Sequence, residues 1–234
     1  MKHTLCRITF FSLLSLCGVA FSACATYKLE VSNVSLYNEG VQIVDSIKTK
    51  SKVRLEVGQH KVGSASSIPL ALFVSAANLS AQSVIFDRNN VLLYQNGKLL
   101  PSLSNEEIKS GSFDYSYIIE SYHLYIPPAP VPSQSVVIAS PFIYRGYWGG
   151  GFYIYNDMVF SARERMQRRI ELEEQRAKRA IIISSALQKN TLEPKGMPRG
   201  GFVIYSPSVL QVGEVDIRVR VGDEEHSFTL EIVK

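Results

Sequence analysis

Cysteine is scarce in this chain, and all of it lies near the N-terminus. The 234 residues contain three cysteines, Cys6, Cys17 and Cys24, so the sequence after Cys24 has none. An intramolecular disulfide in that part is therefore excluded, as is a metal site built on thiolates. Cys24 becomes the lone thiol of the chain if the residues before it are removed.

A strong excess of one charge is also absent. Lysine and arginine number 25 against 21 aspartates and glutamates, which gives a formal net charge of +4. Removal of an N-terminal segment that contains Lys2 and Arg7 leaves 23 against 21, a net charge of +2. There is no dense basic patch of the kind that binds phosphate backbones, so we expect no nucleic-acid partner.

The sequence lacks the spacings that mark common catalytic and metal sites. After Cys24 the histidines are His60, His123 and His226, and each stands alone without a second ligand at metal-binding spacing. No serine lies in a Gly-x-Ser-x-Gly elbow. The pairs Glu106-Glu107 and Glu224-Glu225 are adjacent residues, which do not converge on one substrate as an acid and a base must. We expect no cofactor, no metal and no enzyme activity, with His226 facing solvent and both glutamate pairs in solvated turns.

What the N-terminus does contain is the layout of a secretory signal peptide. A short basic start is followed by about a dozen apolar or small residues and then by small residues before Cys24. The apolar run is shorter than the roughly 20 residues of a permanent membrane span. We therefore expect residues 1–23 to be a signal peptide and residues 24–234 to form a single domain.

The end of this segment resembles a known processing motif. Phe21-Ser22-Ala23-Cys24 is similar to the lipobox of bacterial lipoprotein precursors, although Phe21 stands where leucine is usual. The resemblance implies a lipoprotein whose Cys24 sulfur carries a diacylglycerol with palmitate-type chains. In the same family an alanine after the lipidated cysteine, here Ala25, implies the cell outer membrane, with the protein facing the periplasm.

A second processing route fits the same residues. Ala23-Cys24-Ala25 satisfies the Ala-x-Ala rule of ordinary signal cleavage. That cleavage would release a soluble periplasmic chain that begins at Thr26. The two routes differ in whether Cys24 stays on the mature protein.

Alternating apolar and polar residues predict short β-strands through most of the remaining chain. Half-buried strands are expected at Tyr27–Ser32 and Val53–Val57, and the nearly continuous apolar run Pro69–Ser75 predicts a strand buried on both faces. Hairpins are expected at Asn96-Gly97, a strong turn signal, and between two alternating runs at the C-terminus. Many short strands with close turns predict a mainly β protein, a β-sandwich or barrel.

One stretch of these strands resembles a known module. In Ala71–Phe86 a strand ends in the turn Asn78-Leu79-Ser80 and the next strand ends in an aromatic residue. This order is similar to bacterial immunoglobulin-like envelope domains. The resemblance implies an immunoglobulin-like β-sandwich.

Three segments interrupt the β pattern. Four prolines make Ile126–Pro132 an extended connector, and residues 142–155 combine seven aromatic residues with a glycine turn. A long α-helix is expected as an insertion at about 157–189, which has good N-cap types just before it and no glycine or proline. We expect its apolar end, Ile181-Ile182-Ile183, to pack on the sandwich and its charged middle, Arg163–Arg179, to be exposed.

These features predict a non-enzymatic, lipid-anchored cell-envelope protein that acts as a structural or assembly component of an envelope complex. The alternative is a module that binds an envelope glycan or an exported ligand through the aromatic tract 142–155. In the competing interpretation the tract is a hairpin, and about half of its rings fill the core. The expected partners are the membrane, through the N-terminal lipid, and an envelope protein. The candidate partner-binding residues are Tyr144, Tyr147, Trp148 and Tyr153 of the aromatic tract and Arg165, Arg168, Arg169 and Arg176 of the charged helix.

Overall fold

The computed structural model describes residues 26–63, 67–125 and 166–234. Within α3, defined below, side chains are described from residue 173 onward. Nearly half of these residues lie in strands, which pair antiparallel, and few lie in helices, so the fold is mainly β. The strands are β1 Thr26–Val31, β2 Leu36–Asn38, β3 Val41–Ile47, β4 Ser51–Val57, β5 Lys61–Gly63, β6 Leu70–Asn78, β7 Val84–Phe86, β8 Val91–Gln95, β9 Lys98–Leu100, β10 Asn190–Leu192, β11 Arg199–Tyr205, β12 Gly213–Val221 and β13 Glu224–Val233.

The strands form two large sheets with the apolar core between them, which is consistent with a β-sandwich. One sheet has six strands in the order β5-β1-β13-β12-β8-β9, and the other has five in the order β11-β6-β4-β3-β2. A small two-stranded sheet pairs β10 with β7. The main core takes buried side chains from both large sheets, such as Leu55 and Val74 from one and Ile217 and Leu230 from the other.

The C-terminal hairpin follows the alternation of its sequence. In β12 the residues Val215, Ile217, Val219 and Val221 are buried, and Arg220 between the last two is exposed. The turn at Asn96-Gly97 also forms as predicted, with φ angles of 52° and 73° that suit asparagine and glycine. Both hairpins are confirmed because the sequence period of 2 matches the two faces of a sheet.

Three helices cover the outer face of the five-stranded sheet and create a second core. They are α1 Asn105–Ser110, α2 Ser116–Ser121 and α3 Met166–Ser184. Ile108, Ile118 and Ile182, one from each helix, pack with strand residues such as Phe73 and Phe202. The five-stranded sheet is therefore buried on both faces near these helices.

This second core corrects the prediction for Val53–Val57. The alternation predicts one solvated face, but Arg54 and Glu56 are buried as well as the three apolar residues. Arg54 is held by a bidentate contact in which its Nε and Nη2 each lie 2.7 Å from a carboxylate oxygen of Asp45. Tyr122 donates its hydroxyl to the carbonyls of Glu56 and Ala71, at 3.0 and 2.8 Å, and so ties the α2 region to the sheet.

By contrast, the doubly buried strand predicted at Pro69–Ser75 is confirmed, as all nine residues of β6 are buried.

The predicted helix at 157–189 differs from α3 at its C-terminal end. The part before Met166 lies outside the described residues, whereas the end is at Ser184, five residues earlier than predicted. Ser184 donates its hydroxyl to the carbonyls of Ala180 and Ile181. The hydroxyl thus competes with backbone amides for these carbonyls, which disfavours further helix. The next residues then run along β11, where the Leu187 amide donates to the Phe202 carbonyl and the Phe202 amide donates to that of Ser185.

The strand registers define two ends of the sandwich. Because Lys28 pairs with Val233, the start of β1 and the C-terminus lie together at one end, which we call the terminal end. The β3–β4 turn at 47–50 and the β12–β13 turn at 222–223 lie at the opposite end, which we call the distal end. Thr26 is the first described residue, so the signal segment, the proline connector and the aromatic tract lie outside the described residues.

Candidate functional sites

The structure describes only part of the partner-binding set that the sequence predicts. Cys24, the four aromatic residues of the tract and Arg165 lie outside the described residues. Arg168 and Arg169 lie in α3 before the first side chain that is described, and Arg176 is exposed on the same helix. Arg176 is thus the one member of the set whose side chain is placed.

The C-terminal end of α3 is docked on the sheet and on the two shorter helices. Ile181 and Ile182 are buried, as predicted, and Ile183 packs against the second core. Lys178 is 8% exposed; its Nζ donates to Ser116 Oγ at 2.9 Å and lies 2.6 Å from Glu174 Oε1. These contacts hold the helix in one orientation at its end.

The predicted exposure of the whole charged middle, Arg163–Arg179, is therefore wrong at its last two residues. Lys178 is buried against α2, and Arg179 donates from Nη1 to the Lys109 carbonyl at 3.2 Å, at the C-terminal end of α1. The physical reason is that a long cationic side chain buries its aliphatic stem while its end group reaches a polar partner. Glu174, four residues before Lys178, and Arg176, three residues before Arg179, are exposed.

A polar cluster joins the two sheets at the distal end. His226, on β13, is 0% exposed and lies between two serines of the other sheet. Its Nδ1 is 2.8 Å from Ser46 Oγ and its Nε2 is 2.8 Å from Ser51 Oγ. Ser51 Oγ donates in turn to Glu224 Oε2 at 2.5 Å. We call Ser46, Ser51, Glu224 and His226 the polar clasp.

The turns beside the polar clasp are held together by the same chemistry. Both oxygens of Glu224 accept from the Lys50 amide at 3.1 Å, and Lys50 Nζ lies 2.6 Å from Asp223 Oδ2. Lys50 and Asp223 are exposed, so this ion pair adds little stability by itself. Together these bonds fix the β3–β4 turn against the β12–β13 turn.

The hydrogen bonds determine which nitrogen of His226 carries the proton. A carboxylate only accepts, so the single hydroxyl proton of Ser51 goes to Glu224. Ser51 Oγ must then accept from His226 Nε2, which is the protonated nitrogen. Nδ1 of the neutral ring accepts from the Ser46 hydroxyl. Every polar atom of the buried ring is thus satisfied in the neutral form.

Burial also favours that neutral form. It holds the pKa of His226 below the ordinary value of 6.5, helped by the positive charge of Lys48 and opposed by the carboxylate of Glu224. The hydrogen bond from Ser51 lowers the pKa of Glu224 below its ordinary value of 4.5. At neutral pH the polar clasp therefore holds a neutral histidine and an ionised glutamate.

The polar clasp contains the residue types of a serine hydrolase but not their arrangement. In such enzymes the carboxylate orients the histidine, whereas Glu224 contacts Ser51 and not the ring. Ser51 is fully buried, and neither of the two clefts described below includes a member of the polar clasp. The geometry fits a role in joining the sheets.

The burial of His226 corrects the expectation that it faces solvent. The alternation of β13 could have predicted this burial. Positions 226, 228, 230 and 232 lie on one face of the strand, and the last three are apolar. Glu224 likewise is not simply a solvated turn charge. In the pair Glu106-Glu107, Glu107 caps α1 by accepting a hydrogen bond from the Ser104 amide at 2.7 Å.

An open cleft of about 650 Å³ lies at the terminal end, between β1 and α2. Its charged lining is mixed, with Lys28, Lys61 and Lys234 facing Asp114 and Glu120. A smaller cleft lies near α1 and is lined mainly by polar and charged residues, including Asp87, Arg88 and Lys189. Neither lining contains a histidine.

The described residues contain neither a group of metal ligands nor a membrane-spanning helix. Among the described residues, no group of three or more histidine, cysteine, aspartate or glutamate side chains could hold a metal ion. His60 and His123 are both exposed and lie apart from the polar clasp in the sequence and in their contacts. Within the ranges that the structure describes, no helix is both long and apolar enough to cross a bilayer.

Comparison with known proteins adds no assignment. No protein-family model, no curated protein sequence and no solved structure matches the chain.

Proposed function

We propose that the protein is a non-enzymatic lipoprotein of the bacterial cell envelope, anchored by lipid on Cys24, and that it acts as a structural or assembly component of an envelope complex. The observation that carries the proposal is the position of Cys24. It follows an apolar segment with a basic start, small residues precede it, and no other cysteine follows. Acylation would account for this cysteine, because it modifies the lone thiol of an exported chain.

The fold supports this anchor through its geometry. Strand β1 begins at Thr26, only two residues after Cys24, and is paired with β13 and β5. Two extended residues reach at most about 7 Å. A lipid on Cys24 would therefore hold the terminal end close to the bilayer and direct the distal end away from it.

The finer parts of the proposal follow the sequence resemblances. Ala25 after the lipidated cysteine favours the outer membrane, on the periplasmic side, and the Ala71–Phe86 pattern favours an immunoglobulin-like type of sandwich. The helix α3 would be the inserted arm. Its docked end leaves Glu174 and Arg176 exposed, which supports the use of the remaining part as a partner-binding surface.

The anchor is tested by substitution of Cys24. We expect the natural protein to partition into the detergent phase of an envelope extract, and Cys24→Ser to move it into the aqueous phase. Several acyl chains bind a membrane firmly, whereas none leaves only the soluble domain. The matched control is Cys6→Ser, which removes a cysteine of the signal segment and should leave partitioning unchanged. Partitioning of Cys24→Ser into detergent would refute the anchor.

The partner surface on the helix is tested by Arg165, Arg168, Arg169 and Arg176 changed together to glutamine. This change keeps helix propensity, and we expect a shift in thermal stability of less than about 0.5 kcal/mol per site together with weaker co-purification of envelope partners. A control changes four exposed lysines, Lys28, Lys61, Lys98 and Lys189, to glutamine and removes the same charge. Unchanged partner recovery from a folded arginine variant would show that the helix is only a solvated spacer.

A further inference from the structure

Three large apolar side chains are exposed on neighbouring loops of the distal end. Ile47 is 67% exposed at the end of β3, Leu79 is 41% exposed just after β6, and Met197 is 63% exposed before β11. The ends of these strands meet there, because Ser51 pairs with Asn78 and Arg199 pairs with Ala76. Single exposed apolar residues are ordinary, but three on adjoining loops are typical of a contact surface.

Hydrogen bonds tie the loops to one another. The Leu79 amide donates to the Lys50 carbonyl at 2.8 Å, and the Lys195 amide donates to the Asn78 carbonyl at 2.9 Å. The buried side-chain amide of Asn78 donates to the carbonyls of Leu192 and Gln82, at 2.9 and 2.6 Å. Because the loops are fixed before any partner arrives, binding there costs little conformational entropy.

The charges around these side chains have one predominant sign. The loops at 47–50, 79–82 and 193–199 carry Lys48, Lys195 and Arg199, besides Lys50 in its ion pair with Asp223, against one carboxylate, Glu193. In the nearby β12–β13 turn, Asp223 is balanced by Lys50 and Glu225 by Arg220, whereas Glu224 is hydrogen-bonded by Ser51 and keeps its negative charge. Lys48, Lys195 and Arg199 thus outnumber Glu193 and Glu224, which leaves a small excess of positive charge around the apolar side chains.

We propose that this distal patch, which consists of Ile47, Leu79 and Met197 with Lys48, Lys195 and Arg199, binds a protein segment in which apolar side chains are flanked by carboxylates. Apolar contacts supply the burial at the centre of such an interface, and opposite charges at its rim select the partner and raise the association rate. The patch lies at the opposite end from Thr26, so the partner approaches from the side away from the N-terminus. The inference goes beyond the lipid anchor and does not depend on it.

The test is site-specific photocrosslinking in the native envelope. A photoreactive phenylalanine analogue replaces Ile47 or Leu79 in the full chain, with the same replacement at Leu99, which is also exposed but lies on β9 near the terminal end. We expect a crosslinked product from the first two positions and not from Leu99, and we expect its peptide to combine apolar residues with aspartate or glutamate.

Charge-reversal variants then show whether the crosslinked product depends on the charges of the distal patch or arises from chance contact. In the Ile47 crosslinker background, Lys48→Glu, Lys195→Glu and Arg199→Glu together should reduce the product by about tenfold or more. The control reversal of Lys28, Lys61 and Lys98 should change it by less than about twofold, because these exposed lysines lie near the terminal end. The urea midpoint of each variant checks that it is folded.

The other outcomes overturn the inference. They are the absence of product from the distal positions, a product formed with a second copy of the chain or with lipid, a crosslinked peptide without carboxylates, and a product that is insensitive to the distal charge reversal. The experiment is repeated with Cys24→Ser. Loss of the product only in that background would leave the distal patch intact and would show that the anchor brings it to its partner.

Discussion

Leu230→Ala should lower the free energy of unfolding by about 3 kcal/mol. Leu230 is fully buried in the main core, on β13, and pairs across the sheet with Val31 on one side and Val215 on the other. Truncation removes a large apolar side chain from the interior of the sandwich and leaves a cavity that neighbouring strands on both sides prevent from closing. The measurement is the urea-induced unfolding transition, read as a change in midpoint at constant slope.

The matched controls lie on the same two strands. Glu231, the next residue of β13, is exposed, so Glu231→Ala should change stability by less than about 0.5 kcal/mol. Val219→Ala, at a buried position of β12, should cost between these values, at about 1–3 kcal/mol. Equal and small losses at Leu230 and Glu231 would mean that the assignment of the inward face of β13 is wrong.

The second large effect is expected at His226. His226→Ala should lower the free energy of unfolding by about 2–4 kcal/mol, because it leaves a cavity and deprives Ser46 and Ser51 of their ring partners. The matched control is His60→Ala at an exposed histidine, which should cost less than about 0.5 kcal/mol. A loss at His226 no larger than that at His60 would contradict the role of the polar clasp in joining the sheets.

The pH dependence gives an independent readout of the same residue. The folded-state pKa of His226 is lower than 6.5, so below pH 6.5 the unfolded chain binds a proton that the folded chain does not. The stability contributed by neutral His226 is complete above that pH and is lost as the pH falls, by at most about 1.4 kcal/mol per pH unit. The positive charge of Lys48 opposes protonation of His226, and the carboxylate of Glu224 favours it.

Between pH 7.5 and pH 5, the contribution of His226 to stability changes, whereas the contributions of the carboxylates do not. The pKa values of Asp45, Asp223 and Glu224 are lowered, so their contributions are present above about pH 4.5 and are lost only as the pH falls through their folded-state values. The urea midpoint of the natural protein should therefore fall between pH 7.5 and pH 5, and that of His226→Ala should fall less. Parallel pH profiles of the two proteins would count against a buried, neutral His226.

The parts of the fold that sequence predicts best are those in which residue type and position agree. The alternation of Val215–Val221 and the Asn96-Gly97 turn each specify a local structure that the tertiary fold does not override. At His226 the two signals conflict. Its position in β13 indicates the core, whereas its chemistry suggests the surface, and position prevails because two serines from the opposite sheet satisfy the ring.

The layer of helices on the five-stranded sheet is the part that the strand pattern does not reveal. Arg54 and Glu56 have the character of a solvated face and become buried because α1, α2 and α3 form a second core nearby. A local signal for α1 exists in Ser104 and Glu107, whose spacing matches a capping box and whose side chains make both of its bonds. The docking of Lys178 on α2 depends on residues 62 positions apart, which no local pattern specifies.

The most direct test of the lipid anchor is the mass of the N-terminal tryptic peptide of the mature protein from the native envelope. Trypsin cuts after Lys28, so the account predicts the peptide Cys24–Lys28, increased in mass by a diacylglycerol on sulfur and an acyl group on the amine. An unmodified peptide Thr26–Lys28 would show ordinary signal cleavage and would contradict the anchor.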